Sequence, residues 1–412
     1  MPARSLGYQP ALDGIRGLAI IGVLLLHGDL WGSVPDLVPG GHLGVTVFFV
    51  LSGFLITSLL LGEHRKHGRI DMRAFYLRRA ARLLPGLLVL LPFHVLVWSH
   101  EQSAWQLVLT VVPAVLYLTS IVHAIWMSMG PISWSWSLSV EEHFYAGWPP
   151  LLRWLLDGAN STRPGLRGAL RRHPLTMATT AALLLVAMAT GLRLALVHSV
   201  RWHEFLYYST FTRIDALAVG CLAALFAARF GAVALPRTLG WAALVVLGFC
   251  YLDPNFNIGS VALNVYGLPL TMAAAAVLIL SVVGQPRGWL ARMLSARWLV
   301  HLGAVSYGLY LWNLLPGQAW RMIFGTDAGV LGTIWCWCAM FIAVELSYHF
   351  VERPVMRWAK ARMRGERVWP WTREEPVVTP EQLTGITAVE AVRRVQMDAH
   401  FTPGALLTRS AR

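Results

Sequence analysis

The feature that most limits what this chain can become is a succession of apolar runs of roughly 18 residues or more, joined by short connections rich in Arg. A run of that length crosses the hydrocarbon of a bilayer as a helix. Apolar residues gathered in blocks, instead of alternating, argue against a membrane β-barrel. Composition points the same way. Of 412 residues, 56% are hydrophobic and 13% charged, and an ordinary soluble domain carries about a quarter charged. Disorder and a small disulfide scaffold are excluded by the same figures. The net charge of +13 would suit nucleic acid only if it were gathered on one polar domain. It is scattered through short loops, almost all of it Arg, with Lys66 and Lys360 the sole lysines. That is the distribution of a positive-inside membrane protein, and no nucleic-acid partner is expected.

The expected fold class is therefore all-α, a polytopic transmembrane helical bundle. Spans are expected near 12–30, 44–62, 84–98, 135–156, 176–198, 208–228, 235–252, 264–284, 299–316 and 329–351. Arg65, Lys66, Arg69, Arg73, Arg78, Arg79 and Arg82 follow the second span, and Arg163, Arg167, Arg171 and Arg172 mark a later loop. Both belong in the cytoplasm, so an even number of crossings lies between them. The further apolar run 105–127 is accordingly assigned to a re-entrant or interfacial segment. Ten spans then place both termini on the cytoplasmic side of the membrane. The chain divides into a membrane unit at 1–357 and a polar tail at 358–412, where Thr379-Pro380-Glu381 reads as a helix start. The first apolar run carries Asp13 and Arg16 and has no small-residue cleavage site, so it is expected to stay as the first span. Cys221, Cys250, Cys336 and Cys338 all sit in apolar runs without metal spacing and read as buried packing residues. No metal site is expected; beside His64 and His67 the cations Arg65 and Lys66 oppose one.

Ionisable groups inside spans are costly and mark function. Arg16 and His27 are eleven residues apart, which returns to nearly one helix face with a rise of roughly 16 Å. Asp13 sits one turn from Arg16 and can pair with it. Arg79 and Arg82 share a face, with Arg78 beside them. Guanidinium groups so placed can grip phosphates, or simply anchor the helix at the membrane surface. In Trp136–Tyr145, Ser137, Glu141 and Tyr145 form one polar stripe and Ser135, Ser139 and Glu142 another. Helical spacing alone does not choose between the glutamates. Arg213 and Asp215 face different neighbours, and a structural salt bridge is as good a reading as a direct role. Ser306, Tyr307 and Asn313 decorate the ninth span.

Six segments in chain order carry a resemblance. Arg16 through His27 matches an Arg-x10-His signature, Gly44–Phe54 a second-span motif, and Arg79-Ala80-Ala81-Arg82 an Arg-x-x-Arg segment. Trp136–Glu142, Ser306–Trp312 and Val351–Pro354 match later motifs. Together they resemble the acyltransferase 3 family of bacterial integral membrane O-acyltransferases, from about residue 10 to 355. Two positions depart: Thr46 stands where the family often has Asp, and Asn313 where it often has His.

The resemblance implies an acyl-CoA-dependent O-acyltransferase. An acyl group, acetyl by default, would pass from cytosolic acyl-CoA to a hydroxyl of a carbohydrate, glycolipid or secondary metabolite. Arg78, Arg79 and Arg82 would hold the phosphates of CoA. Arg16 would guide the cofactor arm or hold Asp13. His27 would act as general base with Glu141 orienting it, and an acyl-His relay is the mechanistic alternative. Some relatives append an extracytoplasmic hydrolase-like domain, for which this length leaves no room. The rival reading from another class is a transporter or flippase whose buried charges form a substrate or proton path.

Overall fold

The computed structural model describes residues 8–28, 38–126, 134–157, 173–199, 202–231, 234–326 and 328–363, and among them every regular element is helical. The basic loop at Arg163–Arg172 and the expected helix start at Thr379 lie outside the described residues. Seven helices are long and apolar enough to cross a bilayer. The protein is thus a membrane-embedded helical bundle.

The chain opens with α1 (Pro10–Gly28), α2 (Leu43–His67) and α3 (Met72–Trp98). Gly68, at φ 69°, ends α2 by donating its N–H to the His64 carbonyl, and Asp71 caps α3 by accepting from the Ala74 N–H at 3.0 Å. The cap holds the exposed Asp71 carboxyl below its usual range. α3 therefore begins well before the expected span at 84. A window of hydropathy reads Arg73–Arg82 as loop, yet the capped helix carries Arg79 and Arg82 two to three turns inside it, about 10–15 Å from its start.

The ambiguous run becomes two short helices, α4 (Ala104–Val115) and α5 (Thr119–Trp126), broken where Tyr117 takes φ 55°. Then come α6 (Trp136–Asp157), α7 (Pro174–Leu196), α8 (His203–Tyr208), α9 (Thr210–Phe230) and α10 (Arg237–Leu252). A π-helical turn at Leu263–Gly267 leads into α11 (Leu268–Gly284). The expected ninth span is interrupted: α12 (Trp289–Leu294), α13 (Arg297–Ala304), α14 (Ser306–Trp312) and α15 (Leu315–Phe324) are separate short helices. α16 (Gly329–Ser347) continues through a π-helical turn at Tyr348–Glu352 into α17 (Arg353–Met363). Three of the ten expected spans thus fall outside the seven. α6 carries Glu141, Glu142 and Arg153, α10 has 16 residues, and 299–316 is broken.

Small residues let the central helices approach to backbone contact, the packing available where lipid removes the hydrophobic drive between helices. A Cβ on Gly53 of α2 would lie 1.9 Å from the Leu217 carbonyl oxygen of α9, and one on Gly220 would lie 2.0 Å from the Val50 oxygen. Gly44 meets the Ala19 carbonyl and Gly41 meets Gly22 and Leu26. So α1 and α2 run antiparallel, and His27 falls level with the residues just before α2. Arg193 of α7 is fully buried on α9, 2.5 Å from Asp215 and 2.7 Å from the Thr212 carbonyl. Arg213 and Asp215 do face different neighbours. Cys221, Cys250 and Cys336 are buried as expected, but Cys338 is exposed, because two residues along a helix turn a side chain to another face.

Candidate active site

A cavity of about 540 Å³ lies among α1, α2, α3, α6 and α14. Its longest wall is one stripe of α2: Val45, Phe49, Ser52, Ile56 and Leu59 recur at helical spacing. Fourteen residues separate Val45 from Leu59, so the cavity runs roughly 21 Å along that helix. Tyr8 and Leu59, 75% and 62% exposed, stand at its open end.

Near that mouth the cavity is ionic. Asp13 and Arg16 line it and pair at 3.0 Å. Arg79 is held by two carboxylates of α6: its Nη2 donates to Glu141 Oε2 at 3.0 Å and its Nε to Glu142. The guanidinium carbon also lies 3.5 Å over the Tyr145 ring. Glu141 accepts from Ser52 Oγ at 2.8 Å and from the Tyr145 hydroxyl at 3.5 Å. Both glutamates left open by helical spacing therefore reach the same arginine, but Glu141 is the one that lines the cavity. Arg82 lines it too and has no ion-pair or hydrogen-bond partner among the described residues, its charged neighbours being Arg16, Arg79, Glu141 and Glu352. Arg78 points away, pairing with Glu63 at 3.3 Å. The three arginines of the predicted phosphate grip thus part ways. One is locked, one lies outside, and one is free to take an anion.

Deeper in, Ser137 shares a 2.7 Å hydrogen bond with the Tyr310 hydroxyl, which also reaches the Trp134 carbonyl at 2.6 Å. Tyr307 donates to the Leu83 carbonyl at 2.7 Å, and Ser306 to the Gly303 carbonyl at 2.9 Å. All four line the cavity. Asn313 is buried outside it, its Nδ2 donating to the Tyr310 carbonyl.

His27 is not among the lining residues. It belongs to a second polar cluster past the closed end. There Arg213 donates to Thr46 Oγ1 at 2.7 Å, with its guanidinium carbon 5.1 Å from the Tyr207 ring. His42 packs edge-on to that same ring at 5.5 Å, and His27 is its charge neighbour. His27 Nδ1 and His42 Nε2 are buried without a hydrogen-bond partner among the described residues. Phe49, which lines the cavity and packs edge to face on Trp136 at 5.9 Å, stands between this cluster and the cavity. The expected contact of Glu141 with His27 is not made among the described residues. Glu141 is bound at Ser52, ten residues or roughly 15 Å along α2 from His42. Sequence reasoning passed over Ser52 and His42. Their one signal is a polar group set in or against an apolar run.

A family model described as an acyltransferase domain matches residues 9–347. Among curated proteins, YrhL of Bacillus subtilis, which carries a provisional peptidoglycan O-acetyltransferase name, is 30% identical over 84% of this chain and 55% of its own. The peptidoglycan O-acetyltransferase OatA of Listeria monocytogenes is 28% identical over 85% of this chain and 56% of its own. The O-acetyltransferase OatA of Staphylococcus aureus is 29% identical over 85% and 57%. The chain spans about half the length of these relatives. No solved structure matches significantly.

Proposed function

The chain belongs to the acyltransferase 3 family, and from that premise we propose that it is a membrane O-acyltransferase moving an acetyl group from acyl-CoA to a hydroxyl of a glycan or glycolipid. The relatives' names make peptidoglycan the first acceptor to try. The observation that carries the reading is the cavity itself: one accessible guanidinium, unpaired among the described residues, near an open mouth, and a run of roughly 21 Å toward the buried His42 and half-buried His27. In the proposed ten-span topology, with both termini cytoplasmic, that mouth faces the cytosol.

Arg82, with Arg16 beside it, receives the phosphates of CoA, which are too costly to draw into hydrocarbon. Arg79 plays another part. Clamped between Glu141 and Glu142, it fixes α3 against α6 and shapes the wall along which the pantetheine arm lies. The thioester then sits near Val45 and Phe49, one turn from His42. The acceptor hydroxyl oxygen bonds to the carbonyl carbon, and the carbon–sulfur bond breaks. The hydroxyl proton passes to His27, and the thiolate leaves to be protonated in turn. A neutral imidazole suits that role at physiological pH. Glu141 serves the cavity's ionic frame instead of orienting His27.

The test is acetyl transfer by the purified protein in detergent, with acetyl-CoA and a soluble glycan acceptor. His27→Ala should abolish transfer while acetyl-CoA binding and melting temperature stay near those of the parent. Transfer undiminished in His27→Ala removes the base assignment. Absence of any acetyl-CoA turnover in the parent, with every acceptor tried, removes the enzyme reading in favour of a transporter.

A further inference from the structure

Beyond Phe49 a cation is buried with no anion of its own among the described residues. Arg213 is 1% exposed. Its Nη2 donates to neutral Thr46, its Nε has no partner, and its guanidinium is otherwise covered by the Tyr207, Trp136 and Phe49 rings. The carboxylate on its own helix, Asp215, is taken by Arg193 and by the Ala216 N–H. Among the described residues, two guanidinium groups and one carboxylate leave a positive charge over. Aromatic faces recover part of the cost of burying it, and a counter-anion recovers far more. His42, 5% exposed, stands against the same Tyr207 ring with its Nε2 unmet, four residues and one turn before Thr46. In the tautomer with hydrogen on Nε2 it offers a second donor.

We propose that Arg213 and His42 form a receiving site for an anionic group, carboxylate or phosphate, carried by the acceptor close to the hydroxyl that is acylated. The inference rests on the acyltransferase reading above. The donor's phosphates are met near the opposite end of the cavity, at Arg16 and Arg82, so this pole serves the other substrate. Phe49 lines the cavity and also covers Arg213. A turn of that one side chain opens the cation to the place where the thioester arrives. A negative charge held there fixes the hydroxyl beside His27.

The test compares three soluble acceptors with the purified full-length chain: methyl glucoside, its glucuronide, and glucose 1-phosphate. Preference is read within each variant as the ratio of kcat/KM for a charged acceptor to that for the neutral one, so a general loss of activity cancels. The parent should favour a charged acceptor by about tenfold, the worth of one charge-assisted hydrogen bond. Whether glucuronide or phosphate gains more identifies the anion. Arg213→Gln should bring the ratio to about one, and Arg213→Lys should keep most of it. Thr46→Asp should also abolish it, because a carboxylate at that position neutralises Arg213 from within. Thermal stabilisation by the glucuronide or the phosphate, without acetyl-CoA, reads the site apart from catalysis and should vanish in Thr46→Asp. A parent that takes all three acceptors equally, or a preference that survives both Arg213→Gln and Thr46→Asp, overturns the proposal while leaving the enzyme reading intact. No turnover of acetyl-CoA by the parent overturns the enzyme reading itself, and stabilisation lost in Thr46→Asp would still support the anion site.

Discussion

At the scale of single residues, neighbouring arginines of like chemistry have different duties, and the partners decide which. Arg78 pairs with Glu63 at the surface, Arg79 is clasped by Glu141 and Glu142, and Arg82 faces the cavity with no ion pair among the described residues. Arg82→Ala should raise KM for acetyl-CoA about tenfold with little change in KM for the acceptor, since one charge-assisted contact is lost. Arg78→Ala should leave both constants unchanged. Steady-state kinetics on the pair checks this, and equal effects would contradict the assignment. Ser52 holds Glu141 at 2.8 Å. Ser52→Ala should cost about 1.5–3 kcal/mol of that constraint, read as a fall of about tenfold or more in kcat with acetyl-CoA affinity kept. Much of this was legible in the sequence. The Arg-x-x-Arg spacing, the Asp13–Arg16 pair and the Ser137–Glu141–Tyr145 stripe all follow from helical period. The partners of Glu141 on other helices did not, because Ser52 comes from α2 and Arg79 from α3, and no spacing along α6 carries that information.

At the scale of elements, backbone contact and a buried ion pair hold the core helices. Gly53→Ala puts a methyl carbon 1.9 Å from the Leu217 carbonyl oxygen. Overpacking of this kind costs about 1–3 kcal/mol, so the melting temperature in detergent should fall by several degrees. Gly191→Ala, with nothing near its added carbon, should change it little. Asp215→Ala would strand Arg193 and leave Arg213 with less negative charge nearby. A loss of about 3–5 kcal/mol is expected for breaking a buried pair, measured as a drop in folded protein recovered and in melting temperature. Where helices break was harder to foresee than where they run. Hydropathy sees 299–316 as one apolar stretch. Val305 at φ −94°, ψ 5° and the turn after Trp312 divide it, and tertiary contacts override the local preference for continuous helix.

At the scale of the whole molecule, composition and the length of the apolar blocks fixed the class of fold, and their order fixed which helices surround the cavity only after folding brought them together. A cavity entered beside the exposed Tyr8 and Leu59 predicts one-sided access. A cysteine at Ser58, near the mouth, should react with a membrane-impermeant thiol reagent added from one face of inverted or right-side-out vesicles and not from the other. In the proposed topology the reactive face is the cytosolic one. Acetyl-CoA should protect the same cysteine from labelling. Labelling from the opposite face would reverse the orientation while leaving the architecture as described.

A trench that reaches so far into a bilayer is also a hazard to the cell that holds it. Water and hydronium entering it would discharge the membrane like a pinhole in an electrical insulator. Phe49 and Trp136, crossed edge to face at its end, supply a dry plug. On the proposed acyltransferase reading, the same two rings would let acyl transfer proceed in an energised membrane without draining it.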